Sequence, residues 1–149
     1  MLYFAYGSNL NHKQMKNRCS GASYIKKHTL NGYELCFSYK TKHSVYGHAN
    51  IFKNKKSKVN GALWNITRND ERELDGYEGV DYSYYQKEYF TLNGKKVLVY
   101  VQKVYYLQKP SSKYLHTIIQ GYKDCGLGIE KLKKIVCKYK IKHVINWKT

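Results

Sequence analysis

The sequence predicts a single α+β domain whose sheet is largely antiparallel or mixed. Strand-like apolar segments dominate the middle of the 149-residue chain, and two amphipathic helical segments follow near its end. The length fits one domain over residues 1–149, without a linker or an internal repeat. Hydrophobic residues make up 42% of the chain and aromatic residues 15%, as is typical of a globular protein.

The first part of the chain is predicted to form a strand, a short helix and a hairpin. The apolar segment Leu2–Tyr6 ends at a glycine turn, which is typical of a buried strand. Asn11 is placed to cap a helix over His12–Arg18. Two alternating segments follow at Ser23–Thr29 and Tyr33–Tyr39, and Asn-Gly at positions 31–32 favours a hairpin turn between them.

Two further strands and a helix are predicted next. Ala49–Phe52 and Val59–Ile66 are apolar, and the lysine-rich Lys53–Lys58 between them is interpreted as a solvated hairpin tip. Thr67 and Asp70 have the spacing of a helix start, so a short helix is expected to reach about Gly76.

The last part is predicted to hold another hairpin and two helices. Tyr84–Leu92 and Lys95–Tyr106 are strand-like, with Asn-Gly between them at positions 93–94. Ser111 or Ser112 is placed to cap a helix that stops near Gly126. The apolar faces of these two helices are expected to comprise Tyr114, Leu115, Ile118, Ile119 and Tyr122, and then Ile129, Leu132, Ile135, Val136 and Tyr139.

Composition argues against several classes of protein. No apolar run approaches the roughly 20 residues of a membrane-spanning helix, and the N-terminus lacks the basic leader of a signal peptide. We therefore expect a cytoplasmic protein without a membrane partner. The four cysteines lack a Cys-x-x-Cys spacing and are expected to be reduced and mostly buried.

The strong positive charge has two interpretations. Lys and Arg exceed Asp and Glu by 27 − 10 = 17, and such an excess attracts nucleic acid. However, the basic residues are spread along the chain, with local runs only at Lys53–Lys58 and Lys131–Lys142, and they accompany many tyrosines and asparagines. These three residue types share A/T-rich codons, so a compositional bias explains the charge better than a nucleic-acid partner does.

Two short segments are candidates for chemistry. Gly7 and Ser8 follow the first strand, and a glycine there lets main-chain N–H groups approach an anion or a carbonyl oxygen. Glu78 stands between apolar and glycine neighbours, where partial desolvation would raise its pKa towards that of a general base. Taken alone, each segment is equally compatible with an ordinary turn. The six histidines form no recognised zinc pair, so we expect no metal.

Several segments, in order, resemble the γ-glutamylcyclotransferase family over residues 1 to about 136. The opening Tyr-Phe-Ala-Tyr-Gly-Ser-Asn is similar to the signature loop of that family, and Gly47–Ile51 is similar to its Gly-x-Ala-x-Ile strand. The other similar segments are Gly61–Trp64, Leu74–Val80, Tyr84–Tyr85, Pro110–Tyr114, Ile118–Gly121 and Gly126–Leu127.

The resemblance implies a fold, a reaction and a set of site residues. The implied fold is a small closed mixed β-barrel flanked by helices. The implied reaction converts a small-molecule γ-glutamyl substrate to 5-oxoproline without cofactor or metal, with Glu78 as general acid and base. The family's substrate-binding loop falls on Tyr3, Phe4, Ala5, Tyr6, Gly7 and Ser8, and its pocket tyrosines fall on Tyr85 and Tyr114.

Some alternatives remain open from the sequence. A non-catalytic interaction module with the same fold would share most of these segments, and the basic helix allows a nucleic-acid-binding protein. A homodimer is also compatible with the resemblance. The presence of Glu78 together with the Gly7 loop favours the enzyme.

Overall fold

The computed structural model describes residues 1–140 and 145–147. Its strands are β1 (Leu2–Ala5), β2 (Ser23–Tyr39), β3 (His48–Asn65), β4 (Gln86–Leu92), β5 (Lys95–Val101) and β6 (Tyr106–Leu107). Its α-helices are α1 (His12–Arg18), α2 (Arg68–Tyr77), α3 (Ser112–Asp124) and α4 (Glu130–Cys137). Short 3₁₀ turns lie at Ser8–Leu10 and Val80–Tyr82.

All six strands form one mixed sheet in the order β4-β5-β1-β3-β2-β6. β1 is parallel to β5 and antiparallel to β3, and the other neighbouring pairs are antiparallel. The sheet curls into a half-barrel accompanied by four helices, which confirms the predicted fold class. The barrel is open rather than closed, because β6 has two residues that pair only with the end of β2 and do not reach β4.

The strands β2 and β3 are longer than the sequence predicts. The predicted hairpin at Asn31 and Gly32 is wrong: Gly32 does take a positive φ of 83°, but it lies at a register shift within one strand. Lys53–Lys58 lies inside β3, so the predicted hairpin tip is wrong too, although all four of its lysines are exposed. The strands continue because residues on both sides of the irregularity pair, Leu30 with Val59 and Leu35 with Ile51.

Other local signals formed as predicted. Asn11 caps α1 by accepting a hydrogen bond from Gln14 N, and Thr67 begins α2 with a reciprocal capping box to Asp70. Ser111 caps α3 by accepting from Tyr114 N. At positions 93–94 both residues take positive φ values, 50° and 77°, and the chain reverses between β4 and β5.

Several boundaries differ from the predictions. β4 begins at Gln86 rather than Tyr84, and β5 ends at Val101 rather than Tyr106. α2 runs one residue past Gly76, and the left-handed residue after it is Gly79, with φ 62°. The chain therefore leaves α2 at Glu78, which places that residue at the helix end.

The core lies between the sheet and helices α3 and α4. Its largest fully buried side chains include Phe4, Phe37, Leu63, Leu98, Leu115, Ile118, Ile119 and Leu132. Cys19, Cys36 and Cys125 are free and buried and Cys137 is free and exposed, so most of the cysteines are buried, as predicted. Within the described residues, no helix combines the length and the apolar character needed to cross a bilayer. The last two residues of the basic run Lys131–Lys142 lie outside the described residues.

Candidate active site

A cavity of about 180 Å³ lies where the loop after β1 meets the end of α2 and the start of β3. Its lining is rich in tyrosine and holds one carboxylate and one guanidinium. The lining residues are Tyr3, Tyr6, Gly7, Ser8, Asn9, Gln14, Arg18, His48, Ala49, Tyr77, Glu78, Tyr84, Tyr85, Tyr100 and Tyr114.

Helix α3 holds the loop after β1 in place. Gly121 packs against this loop so closely that a Cβ there would lie 2.6 Å from Asn11 N. The Asn11 side chain donates to the carbonyl of Thr117 at 3.2 Å, and Asp124 accepts a hydrogen bond from His12 N at 3.0 Å. These contacts fix the main chain of the 3₁₀ turn that begins at Ser8.

Gly7 is required by the neighbouring wall of the cavity. Its φ is −124°, so no left-handed conformation demands glycine. A Cβ on Gly7 would instead lie 2.8 Å from Cβ of Ala49 and 3.4 Å from the hydroxyl of Tyr114. The loop and β3 therefore touch through main chain and small side chains.

Glu78 ends helix α2 and enters the cavity. Its N–H donates to the carbonyl of Leu74 at 2.8 Å, and Gly79 turns the chain away immediately afterwards. Burial raises the pKa of the Glu78 carboxyl to about 7, while the nearby Arg18 acts in the opposite direction. A carboxyl with this pKa can accept and return a proton near neutral pH.

Asn9 connects the loop to Glu78. Its side chain is 3% exposed, and Nδ2 donates to the hydroxyl of Tyr3 at 3.0 Å and contacts Oε1 of Glu78 at 3.5 Å. Its Oδ1 accepts from Arg18 Nη1 and Gln14 Nε2, both at 3.1 Å. Because both cationic and amide donors bind Oδ1, the NH₂ group of Asn9 faces Tyr3 and Glu78.

Arg18 supplies the positive charge of the cavity. Its guanidinium carbon lies 4.4 Å from the centre of the Tyr77 ring, a cation–π contact. With its hydrogen bond to Asn9, this contact holds Arg18 near the acidic group of the site. The arrangement can therefore bind an anionic group beside Glu78.

Tyrosines form the remaining walls and are neutral hydrogen-bonding groups. The hydroxyl of Tyr85 donates to the carbonyl of Ala49, and the hydroxyl of Tyr114 accepts from Ala49 N at 3.0 Å. Burial raises the pKa of Tyr3, Tyr85 and Tyr114 well above that of an exposed phenol. These side chains shape the cavity without adding charge.

Seven of the nine site residues predicted from the resemblance line this cavity: Glu78, Tyr3, Tyr6, Gly7, Ser8, Tyr85 and Tyr114. Phe4 and Ala5 lie outside the lining. Successive residues of a strand point to opposite faces, so Phe4 packs on the other side of β1 against the rings of Phe90 and His28, each 5.9 Å away. The side chain of Ala5 ends at Cβ and is buried against its neighbours.

Sequence reasoning did not identify several lining residues. Arg18 lies outside the segments that resemble the family, and Asn9 and His48 lie inside such segments without a predicted role of their own. The signal available was indirect: Asn9 stands in the opening loop, and His48 occupies the variable position of the Gly-x-Ala-x-Ile segment. Neither observation shows a side chain that faces a cavity.

In the described ranges, no cluster of His, Cys, Asp and Glu side chains has the geometry to hold a metal ion. The groups that the cavity offers to a ligand are a carboxylate, a guanidinium, an imidazole, phenols and amides. They suit proton transfer and hydrogen bonding to a small polar molecule.

Comparison with known proteins identifies relatives of this chain. The family model described as gamma-glutamyl cyclotransferase, AIG2-like matches residues 3–122. The human gamma-glutamylcyclotransferase is 31% identical over 143 residues, which cover 90% of this chain and 76% of the relative. The bovine gamma-glutamylcyclotransferase is 32% identical over 143 residues with the same coverage, 90% and 76%.

Solved structures show the same fold. A structure of a gamma-glutamyl cyclotransferase superposes with a TM-score of 0.79 at 27% identity, covering 98% of this chain and 93% of the other. A human protein described as uncharacterized superposes with a TM-score of 0.78 at 29% identity, covering 99% and 90%. The fold and the sequence relatives therefore agree.

Proposed function

Because the chain belongs to the gamma-glutamyl cyclotransferase, AIG2-like family, we propose that it converts γ-glutamyl amino acids to 5-oxoproline and the free amino acid. One observation carries the proposal: the carboxyl group of Glu78 lies in the same cavity as the loop Tyr3–Ser8. The end of α2 supplies the base that the reaction needs, and the loop after β1 supplies the main chain that would hold the reacting carbonyl.

The charges of the cavity suit the γ-glutamyl group. This group carries an ammonium and a carboxylate on the same carbon, so a site for it needs an acidic and a basic residue close together. Glu78 and Arg18 supply this pair, and Asn9 contacts both of them. We assign the α-ammonium group to Glu78 and the α-carboxylate to Arg18.

The chemistry begins with proton transfer. Ionised Glu78 takes a proton from the α-ammonium group, and the free amine then attacks the γ-carbonyl carbon of the same molecule. The attack forms the five-membered lactam ring and places a negative charge on the carbonyl oxygen. Nucleophile and electrophile belong to one molecule, so holding the substrate folded contributes an entropic advantage.

Collapse of the tetrahedral intermediate breaks the bond to the departing amino acid. Between substrate and products, the α-nitrogen loses two protons and the departing nitrogen gains two. Glu78 returns the first proton to the departing nitrogen. The α-nitrogen releases its second proton to water, and the departing amine takes one up from water, so the protons balance. One carboxyl can serve both steps because the two nitrogens are attached to the same carbon, and its pKa of about 7 suits both directions.

The oxyanion is assigned to the main chain at the start of the 3₁₀ turn. This turn uses the carbonyls of Gly7 and Ser8 as acceptors for Leu10 N and Asn11 N. The first N–H groups of such a turn have no acceptor within it, so they are available to a ligand. Donors of this kind typically contribute about 3–4 kcal/mol to transition-state stabilisation.

Incubation of the purified chain with γ-glutamyl-alanine tests the proposal. We expect 5-oxoproline and alanine in equal amounts, measured by mass spectrometry. Glutamate in place of 5-oxoproline would indicate hydrolysis and contradict the internal attack. Binding of the substrate without either product would instead favour the non-catalytic module.

A further inference from the structure

His48 presents one ring nitrogen to the cavity and uses the other within the protein. Nδ1 of His48 lies 2.5 Å from the hydroxyl of Tyr84, and the two rings pack edge to face with centroids 5.7 Å apart. The ring also packs against Tyr114, with centroids 4.9 Å apart. The hydrogen bond to Tyr84 and the ring contacts with Tyr84 and Tyr114 therefore fix the orientation of the imidazole.

A buried relay determines which ring nitrogen carries the proton. Gln102 is 2% exposed, and its Oε1 accepts from the hydroxyl of Ser38 at 2.9 Å. Its amide nitrogen therefore faces Tyr84 and donates to the phenolic oxygen at 3.3 Å. Because this oxygen accepts from Gln102, the Tyr84 proton is directed at Nδ1 of His48.

The relay leaves Nε2 of His48 as a hydrogen-bond donor. An imidazole that accepts at Nδ1 carries its proton on Nε2 when neutral. Burial and the nearby Arg18 lower the pKa of His48, which favours the neutral ring. Among the described residues, no hydrogen bond reaches Nε2 of His48. Trp64 Nε1 is the buried side-chain polar atom there that lacks a partner, so the unpartnered Nε2 of His48 is not buried. Nε2 of His48 is therefore accessible from the cavity that the residue lines.

His48 is placed to contact the departing amino acid, the part of the substrate to which no other side chain has been assigned. Tyr3, Tyr6 and Asn9 are buried, whereas His48 and Tyr84 are half-buried, so we place the opening of the cavity on the side of His48 and Tyr84. The departing amino acid must leave through that opening. Its carboxylate is the remaining anionic group once Arg18 holds the α-carboxylate and the loop holds the γ-carbonyl.

We propose that Nε2 of His48, oriented by Tyr84 and Gln102, binds the carboxylate of the departing amino acid and so selects γ-glutamyl amino acids over γ-glutamyl amines. The inference rests on the proposed function and names the substrate class of that same cavity. His48 acts on specificity here, and proton transfer remains with Glu78.

Two substrates that differ only in this carboxylate test the inference. γ-Glutamyl-ethylamine has the skeleton of γ-glutamyl-alanine without the carboxylate. For His48→Phe we expect kcat/KM for γ-glutamyl-alanine to fall about 10-fold to 100-fold, the usual effect of losing a hydrogen bond to a charged group. For γ-glutamyl-ethylamine we expect a change of about 2-fold or less, because that substrate offers no carboxylate.

Two further variants separate specificity from folding. Tyr84→Phe keeps the imidazole but removes the hydroxyl that holds the proton of His48 on Nε2. We therefore expect a smaller fall in kcat/KM, again confined to γ-glutamyl-alanine. His43→Phe serves as the matched control, because His43 is exposed in the loop before β3, and we expect it to change neither substrate. Thermal unfolding of each variant shows whether it folds.

Equal losses on the two substrates in His48→Phe and Tyr84→Phe would overturn the inference and leave the proposed function standing. The absence of 5-oxoproline from both substrates with the unmutated chain would overturn the proposed function and the inference with it.

Discussion

Nδ2 of Asn9 lies 3.5 Å from Oε1 of Glu78, although the two residues are 69 positions apart in the sequence. The same nitrogen donates to the hydroxyl of Tyr3, while Oδ1 of Asn9 is held by Arg18 and Gln14. One buried amide thus joins the loop after β1 to the end of α2. The contact explains how a short loop and a helix end come to share a single cavity.

Arg18 is expected to set the acidic limb of the pH profile. Its positive charge lowers the pKa of Glu78 against the larger effect of burial. Arg18→Met should therefore raise the pKa of Glu78, and the midpoint at which kcat/KM rises with pH should move to higher pH. KM should also rise, because the α-carboxylate loses its cation. Steady-state kinetics between pH 5 and about 9 measure both effects.

Arg72→Met is the matched control for this experiment, because Arg72 is exposed on α2. A pH profile of Arg18→Met that coincides with that of Arg72→Met would show that Arg18 does not act on Glu78.

Gly7 and Ala49 are expected to behave as a pair. A Cβ on Gly7 would lie 2.8 Å from Cβ of Ala49, so Gly7→Val should raise KM sharply or abolish binding, and it should lower stability by about 1–3 kcal/mol. Gly7→Ala should show a milder form of the same defect. Adding Ala49→Gly removes the opposing Cβ and should restore part of the loss in the double variant.

Substrate affinity and thermal unfolding of the single and double variants measure this coupling. Additive effects of Gly7→Ala and Ala49→Gly would mean that contact between the two positions does not limit the cavity.

Ionisation of Glu78 is expected to lower the free energy of unfolding. Burial raises its pKa in the folded chain from 4.5 to about 7, so the folded state binds this proton more tightly than the unfolded state does. The stabilising effect of the protonated form is complete below pH 4.5 and is lost as the pH rises towards 7. With about 1.4 kcal/mol for each pKa unit, the loss is at most about 3–4 kcal/mol.

Glu78→Gln cannot titrate and should escape that loss. Relative to the unmutated chain, its free energy of unfolding should increase between pH 4.5 and 7 and then remain level, as measured by urea denaturation. A difference between the two proteins that does not vary with pH would indicate that Glu78 has an ordinary pKa.

Local sequence signals correctly predicted the helix caps and one hairpin turn, but they did not predict that β2 continues through the other expected turn. The Asn-Gly pairs at 31–32 and 93–94 both predict a hairpin turn, and Gly32 and Gly94 both take positive φ. Only the pair at 93–94 reverses the chain. At Gly32 the strand continues because Leu35 pairs with Ile51 across the sheet, and such long-range pairing is not visible in a dipeptide.

The resemblance located Glu78 and the Gly7 loop of the candidate site, but it did not locate the residues that surround them. Glu78 and the Gly7 loop could be located because they stand in segments of similar sequence. Arg18 and His48 reach the cavity only after α1 and β3 have folded against the loop. Phe4 lies inside a similar segment, but its side chain is on the other face of the strand and packs against Phe90 instead of lining the cavity.

The turnover of Glu78→Gln tests the central claim most directly, with Glu73→Gln on the exposed face of α2 as its matched control. We expect Glu78→Gln to fold and to lose at least about 100-fold in kcat for 5-oxoproline formation, the lower range for acid–base catalysis, while Glu73→Gln keeps its activity. A Glu78→Gln variant that forms 5-oxoproline from γ-glutamyl-alanine at the rate of the Glu73→Gln control would contradict the role assigned to this carboxyl.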